Sequence, residues 1–290
     1  MEKRAFEHIE PKDIERRSME IIREELAHRG VKLPAAEAPV IERCIHTSAD
    51  FDYYENLVFS SGAVERMRAA LSAGAMVVTD TEMAKSGISK VALSKYDGKI
   101  RCFMSDPEVS EEAKKRGITR ATVSMEHAAR LAKHLPKIKF DSISEASKYE
   151  NGAAKELHAY HNHYIESEPV EVLKNCSFEN RKGELHEKNE EGVARRKVSP
   201  ASSNIIFAIG NAPTALIELE RLIREENLRP AGIIAVPVGF VNVVEAKELI
   251  WELRNEPEYG DIPLIVARGR KGGSNIAAAI VNALLYGIKN

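Results

Sequence analysis

Between Cys44 and Asp50 the chain reads CIHTSAD, a lone imidazole, His46, set between an apolar stretch and small polar residues. Imidazole titrates near pH 6.5, so at neutral pH it can give and take a proton with little tuning. Arg43 precedes it by three residues, a spacing that one helical turn places on the same face. A cation beside an imidazole could grip an acidic substrate. A histidine in mixed surroundings is more often structural than catalytic, and His46 alone leaves both readings open.

A second group with chemical potential is Arg268, Arg270 and Lys271, in ARGRKGGSN, just before a predicted helix start. Helix N-termini present free N–H groups and a positive dipole end, so cations placed there would form a trap for an acidic ligand. The glycines of GRKGGS invite a nucleotide reading. The segment lacks the P-loop spacing, however, and no G-x-G-x-x-G follows the first strand, so that reading is weak. Ser18 is a third candidate, on an apolar helical stripe four residues after Ile14. Its hydroxyl could bond back to its own helix or face a ligand cleft.

The elements that must position these groups follow from apolar periodicity. Asp13 reads as an N-cap, with Ile14, Ile21, Ile22 and Leu26 along one helical face. AMVVTD, IIFAIG, GIIAVPVGF and PLIVARG are short Val- and Ile-rich runs that read as buried strands. The last three each enter a tight loop and then a helix: Gly210-Asn211 before Pro213, Gly239-Phe240 before Asn242, and Gly269 to Gly273 before Ser274. Repeated strand–loop–helix units predict an α/β, Rossmann-like fold: a mostly parallel sheet with helices on both faces and ligands at the carboxyl ends of the strands.

The 290 residues are 43% hydrophobic, ample for a buried core. Lys and Arg total 42 against 44 Asp and Glu, so no global positive field draws the chain to nucleic acid. Cys44, Cys102 and Cys176 fit neither a disulfide framework nor a Cys-x-x-Cys site, which points to reduced cytoplasmic thiols. With no signal-like start and no membrane-length apolar run, a soluble, cytoplasmic protein is expected, with no membrane partner.

One stretch, residues 135–203, is polar and highly charged, with little apolar periodicity. It reads as an insertion or small surface subdomain within a domain made of residues 1–134 and 204–290. Within it His158, His161, His163 and Glu166 could supply metal ligands, but they match no standard zinc spacing, and a solvated helix is the better reading. No metal and no cofactor is expected.

In order along the chain come DIERRSMEII (13–22), RCIHTSADFDY (43–53), VVTDTEMAKSGI (77–88), ITRATVSM (118–125), AIGNAPTALIELERLI (208–223), AVPVGFVNVVEAKE (235–248) and ARGRKGGSNIAAAIVNALL (267–285). This series resembles the precorrin-8X methylmutase family, corrin-pathway enzymes that also have a cobalt-precorrin-8 form. GNAPTAL, PVGFV and GRKGGS make the resemblance highly specific, and it covers nearly all of the chain outside 135–203.

The resemblance implies an isomerase that moves a methyl group from C-11 to C-12 of the corrinoid ring, giving hydrogenobyrinic or cobyrinic acid. It implies that His46 is the acid/base, that Ser18 and Arg43 contact substrate, and that the enzyme is a homodimer with its site near the subunit interface. Arg120 also falls on a family motif, although Ala121 follows it where a serine is usual. A pocket with Arg43, Arg120 and Arg268 around an apolar floor would suit the many carboxylate arms of such a ring. A corrinoid carrier without catalysis is the competing class, and the presence of His46 argues against it.

Overall fold

The computed structural model describes residues 9–138 and 202–288. The four Val- and Ile-rich runs form β2 (Met76–Thr79), β5 (Ser202–Ile209), β6 (Pro230–Ala235) and β7 (Leu264–Ala267), and every residue in them is buried. Strands covered on both faces need apolar side chains pointing both ways, which is why these runs are continuous rather than alternating. Three shorter strands join them: β1 (Leu57–Phe59), β3 (Ile100–Cys102) and β4 (Lys137–Ile138). None is long enough to show a periodicity.

The sheet runs in the order β1-β7-β6-β5-β2-β3. β7, β6, β5, β2 and β3 are mutually parallel, β1 closes one edge antiparallel to β7, and β4 pairs antiparallel with the start of β5. Alternate residues of the central strands feed two separate cores. Ile206, Ala208 and Ile265 face one, while Ile205, Phe207, Ile209 and Val266 face the other.

The first core is covered by α1 (Ile14–His28), α2 (Ala38–Ser48), α4 (Ala63–Ser72), α5 (Glu82–Gly87), α6 (Lys90–Ser94) and α11 (Ser274–Tyr286), with the short α3 (Tyr53–Asn56) leading into β1. The second is covered by α7 (Pro107–Arg116), α8 (Arg120–Ala132), α9 (Pro213–Glu225) and α10 (Val243–Glu252). The mostly parallel sheet with helices on both faces is therefore as the sequence predicts. α2 packs on α11, and α1 rides on the outside of α2.

Two local expectations are corrected. Asp13 occupies the N-cap position of α1 but makes no capping bond; its carboxylate accepts from Arg16 Nε instead. Of the expected apolar stripe of α1, Ile22 and Leu26 are buried, whereas Ile14 and Ile21 are 54% and 47% exposed. An outer helix needs only a narrow buried seam, and Ile22 and Leu26 supply it.

At the two ends of the expected insertion, Leu135 is buried, and β4 places Ile138 opposite Ser202 and Lys137 opposite Ser203. The intervening segment, with His158, His161, His163 and Glu166, lies outside the described residues.

Candidate active site

α2 starts with Pro39 in its first turn, where a missing N–H costs nothing, and ends at Ala49, which adopts a left-handed conformation (φ 55°). Ser48 Oγ donates to the Cys44 carbonyl and accepts from Asp50 N–H, which steadies that turn. Cys44 and Ile45 point into the core, so Arg43 and His46 emerge together on the face toward α1.

There they meet two residues with the same spacing on the neighbouring helix. Ser18 Oγ lies 2.8 Å from His46 Nδ1, and Arg43 Nη2 donates to Glu15 Oε1 at 2.6 Å. The Arg43 guanidinium also sits 5.2 Å from the centre of the Tyr286 ring. Ser18 is half-buried and bonds across to the histidine rather than back to its own helix. The seam is clamped a turn or so away by Arg23, whose Nε and Nη2 donate to both carboxylate oxygens of the buried Glu42. That hydrogen bonding raises the pKa of the Arg23 guanidinium.

The carboxyl edge of the sheet is built differently. Asp80, buried just after β2, accepts from the backbone N–H groups of Gly210, Asn211 and Ala212 at 2.9, 2.7 and 2.6 Å. Burial pushes its carboxyl pKa up, and the three N–H groups oppose that shift. Lys247, fully buried on α10, donates through Nζ to the carbonyls of Gly269 and Lys271 at 2.9 and 2.7 Å, and burial lowers its pKa to about 8. Thr81 and Ser274 join their hydroxyls at 2.8 Å. Glycine is required where these loops touch: a Cβ at Gly272 would lie 2.1 Å from the Val236 carbonyl oxygen, and one at Gly210 would lie 2.7 Å from Ser274 Cα.

Lys271 links the two regions. Its ammonium pairs with Asp50 at 2.6 Å and with Asp52, so the loop after β7 is tied to the chain just beyond α2. These carboxylates raise the lysine pKa, and the ammonium lowers that of Asp50.

Ser18, Arg43 and His46 are thus brought together. Arg120 and Arg268 are not part of that group. Arg120 opens α8 on the opposite face of the sheet, with Nη1 donating to the Met104 carbonyl. Arg268 forms a two-bond ion pair with Glu248 of α10 at 2.8 and 2.7 Å. Among the described residues, no hydrogen bond or ion pair joins either arginine to the Ser18–His46 pair. The reason is topological: motif order along the chain does not tell which face of the sheet a loop residue serves.

Glu15, Asp80 and Lys247 fall within the motif series, but the motifs alone give none of them a role. Lys247 did leave a trace, since it interrupts the apolar face formed by Val243, Ala246, Ile250 and Trp251. Asp80 left another, as a lone acid at the end of an apolar strand run. Glu15 left none.

A parallel α/β sheet with an imidazole, a hydroxyl and an arginine converging beside it, and with basic loops at its carboxyl edge, defines a class: an α/β protein whose side chains could move a proton and hold an anion. A sequence model of the family described as precorrin-8X methylmutase matches residues 13–138 and 164–287. The cobalt-precorrin-8 methylmutase of Salmonella typhimurium is 33% identical over 284 residues, covering 97% of each chain. The precorrin-8X methylmutase of Pseudomonas aeruginosa is 28% identical over 271 residues, covering 93% of each. The crystal structure of the precorrin-8X methylmutase from Thermus thermophilus superposes with a TM-score of 0.62 at 26% identity, covering 94% of this chain and 96% of that one. The chain belongs to the precorrin-8X methylmutase family, isomerases of cobalamin biosynthesis.

Proposed function

We propose that the protein moves a methyl group from C-11 to C-12 of cobalt-precorrin-8, yielding cobyrinic acid, with His46 as the acid/base. The observation that carries this reading is the 2.8 Å contact between Ser18 Oγ and His46 Nδ1, with Arg43 one turn away on the same helix. A hydroxyl can donate to a neutral Nδ1 and accept from a protonated one, so Ser18 can follow the imidazole through a proton transfer without moving. That leaves Nε2 to address the ring. Protonating the conjugated system lowers the barrier to migration, and the same proton is returned as the product tautomer forms, so no external reactant is consumed.

Arg43 supplies charge for a carboxylate arm, and Glu15 occupies that guanidinium until an arm replaces it. The choice of the cobalt form rests on identity: the relative at 33% is named for it, and the one at 28% for precorrin-8X. Homodimerisation across the exposed face of α1 fits the apolar Ile14 and Ile21 that flank Ser18. A monomeric mass in dilute solution, with full activity, would remove the dimer from the scheme.

The deciding experiment is His46→Ala assayed with cobalt-precorrin-8 and, separately, with the metal-free ring. Turnover should fall by about 10²- to 10⁴-fold, the range of a lost general acid/base, while product binding persists. Turnover within a few-fold of wild type would exclude His46 from the mechanism. Arg43→Ala should act mainly on affinity.

A further inference from the structure

The loop between β6 and α10 exposes three apolar side chains in a row of motif residues: Val238 at 47%, Phe240 at 82% and Val241 at 76%. This exposure does not come from a loosely held loop. Gly239 N–H donates to the Arg270 carbonyl at 3.2 Å, Gly273 N–H donates to the Val236 carbonyl at 2.9 Å, and Lys247 anchors the facing loop through Gly269 and Lys271. The two loops form one backbone-tied unit that holds large apolar groups out toward solvent, the mark of a binding surface.

The charge beside them is also unusual. The Arg270 guanidinium lies 5.4 Å from the centre of the Phe240 ring. Arg43, Arg268 and Lys271 are each paired with a carboxylate of the chain, whereas Arg270 has no carboxylate partner among the described residues. An aromatic face with a cation at its rim suits a flat apolar body that carries carboxylates at its periphery. Through Lys271 and Asp50 this unit is tied to the end of the helix that bears His46.

We propose that Phe240 and Arg270 form a substrate platform, with Phe240 and Val241 packing on the corrinoid ring and Arg270 taking one peripheral carboxylate. The proposal rests on the function argued above and adds a specificity-determining pair to it. Such a pair grips ground state and transition state alike, so it governs KM and product affinity rather than kcat.

The test titrates full-length wild type, Phe240→Ala and Arg270→Gln with cobyrinic acid, followed by its visible spectrum, and repeats the titration with cobinamide, whose arms are amides. Phe240→Ala should weaken both ligands on the order of 10-fold, and Arg270→Gln should weaken cobyrinic acid alone by about as much. In turnover each variant should raise KM with kcat within about 3-fold, and Arg270→Lys should recover part of the loss. Wild-type binding unaltered by either substitution overturns the platform while leaving the methylmutase reading intact. So does a Phe240→Ala variant that changes only its oligomeric mass, which would make the patch a contact between copies. A wild type that binds neither corrinoid sinks the function reading, and the platform with it.

Discussion

The seam between α1 and α2 and the carboxyl edge of the sheet both carry candidate functional groups, but they are held in opposite ways. In the seam, side chains bond to side chains across two helices: Ser18 to His46, Glu15 to Arg43, Arg23 to Glu42. At the edge, buried charges bond to backbone: Asp80 to three N–H groups, Lys247 to two carbonyls. A side-chain contact at a half-exposed surface can be exchanged for a substrate contact at little cost. A buried charge bonded to backbone cannot, because breaking it leaves unsatisfied polar groups away from water. The proposed roles follow that division, the seam for chemistry and the edge for fixing where the ligand lies.

Asp80→Ala is the strongest way to break that contrast. It strips partners from three loop N–H groups at once and should lower stability by about 3 kcal/mol or more, measured by urea unfolding. A loss below about 1 kcal/mol would show that the edge is not locked as described.

Ser18→Ala should act on the opposite quantity. Losing the partner of Nδ1 should reduce kcat by about 10-fold, with KM and urea stability nearly unchanged. A raised KM with kcat unaltered would make Ser18 a substrate contact rather than a partner of the imidazole.

Lys247 sharpens the comparison through pH. Its folded pKa, about 8, lies below its ordinary value of 10.5, so between these the unfolded chain binds more protons. The cost of burying its charge is thus fully present below pH 8 and is relieved as pH rises toward 10.5. Lys247→Met has no such group, so the stability difference between wild type and variant should move in favour of wild type across that window. A difference independent of pH would show that the lysine is not buried as a titrating group.

The smallest effect is expected from residues 139–163, which fall between the two parts of the family match. Ile138 and Ser202 are ladder partners, so the chain leaves and re-enters the sheet at one point, and a shorter connection can close there. Replacing 139–163 by a short Gly- and Ser-containing turn should leave turnover within about 3-fold. Loss of turnover in a folded variant would make this stretch part of the site.

The strand runs, the parallel α/β class and the pairing of Arg43 with His46 on one helical face were all legible in the sequence. Each depends on local periodicity: continuous apolar runs for strands buried on both sides, and a three-residue spacing for one helical face. The motif series also carried the family. The sequence could not show that Glu15 and Ser18 would meet Arg43 and His46, that Lys247 would fill an apolar position by bonding carbonyls more than twenty residues away, or that Arg120 would stand on the far face of the sheet. These are long-range pairings between elements, and their partners are chosen by how the helices pack on the sheet. Short strands such as β1, β3 and β4 belong with them, since three or fewer residues carry no period and only the neighbouring strand makes them strands.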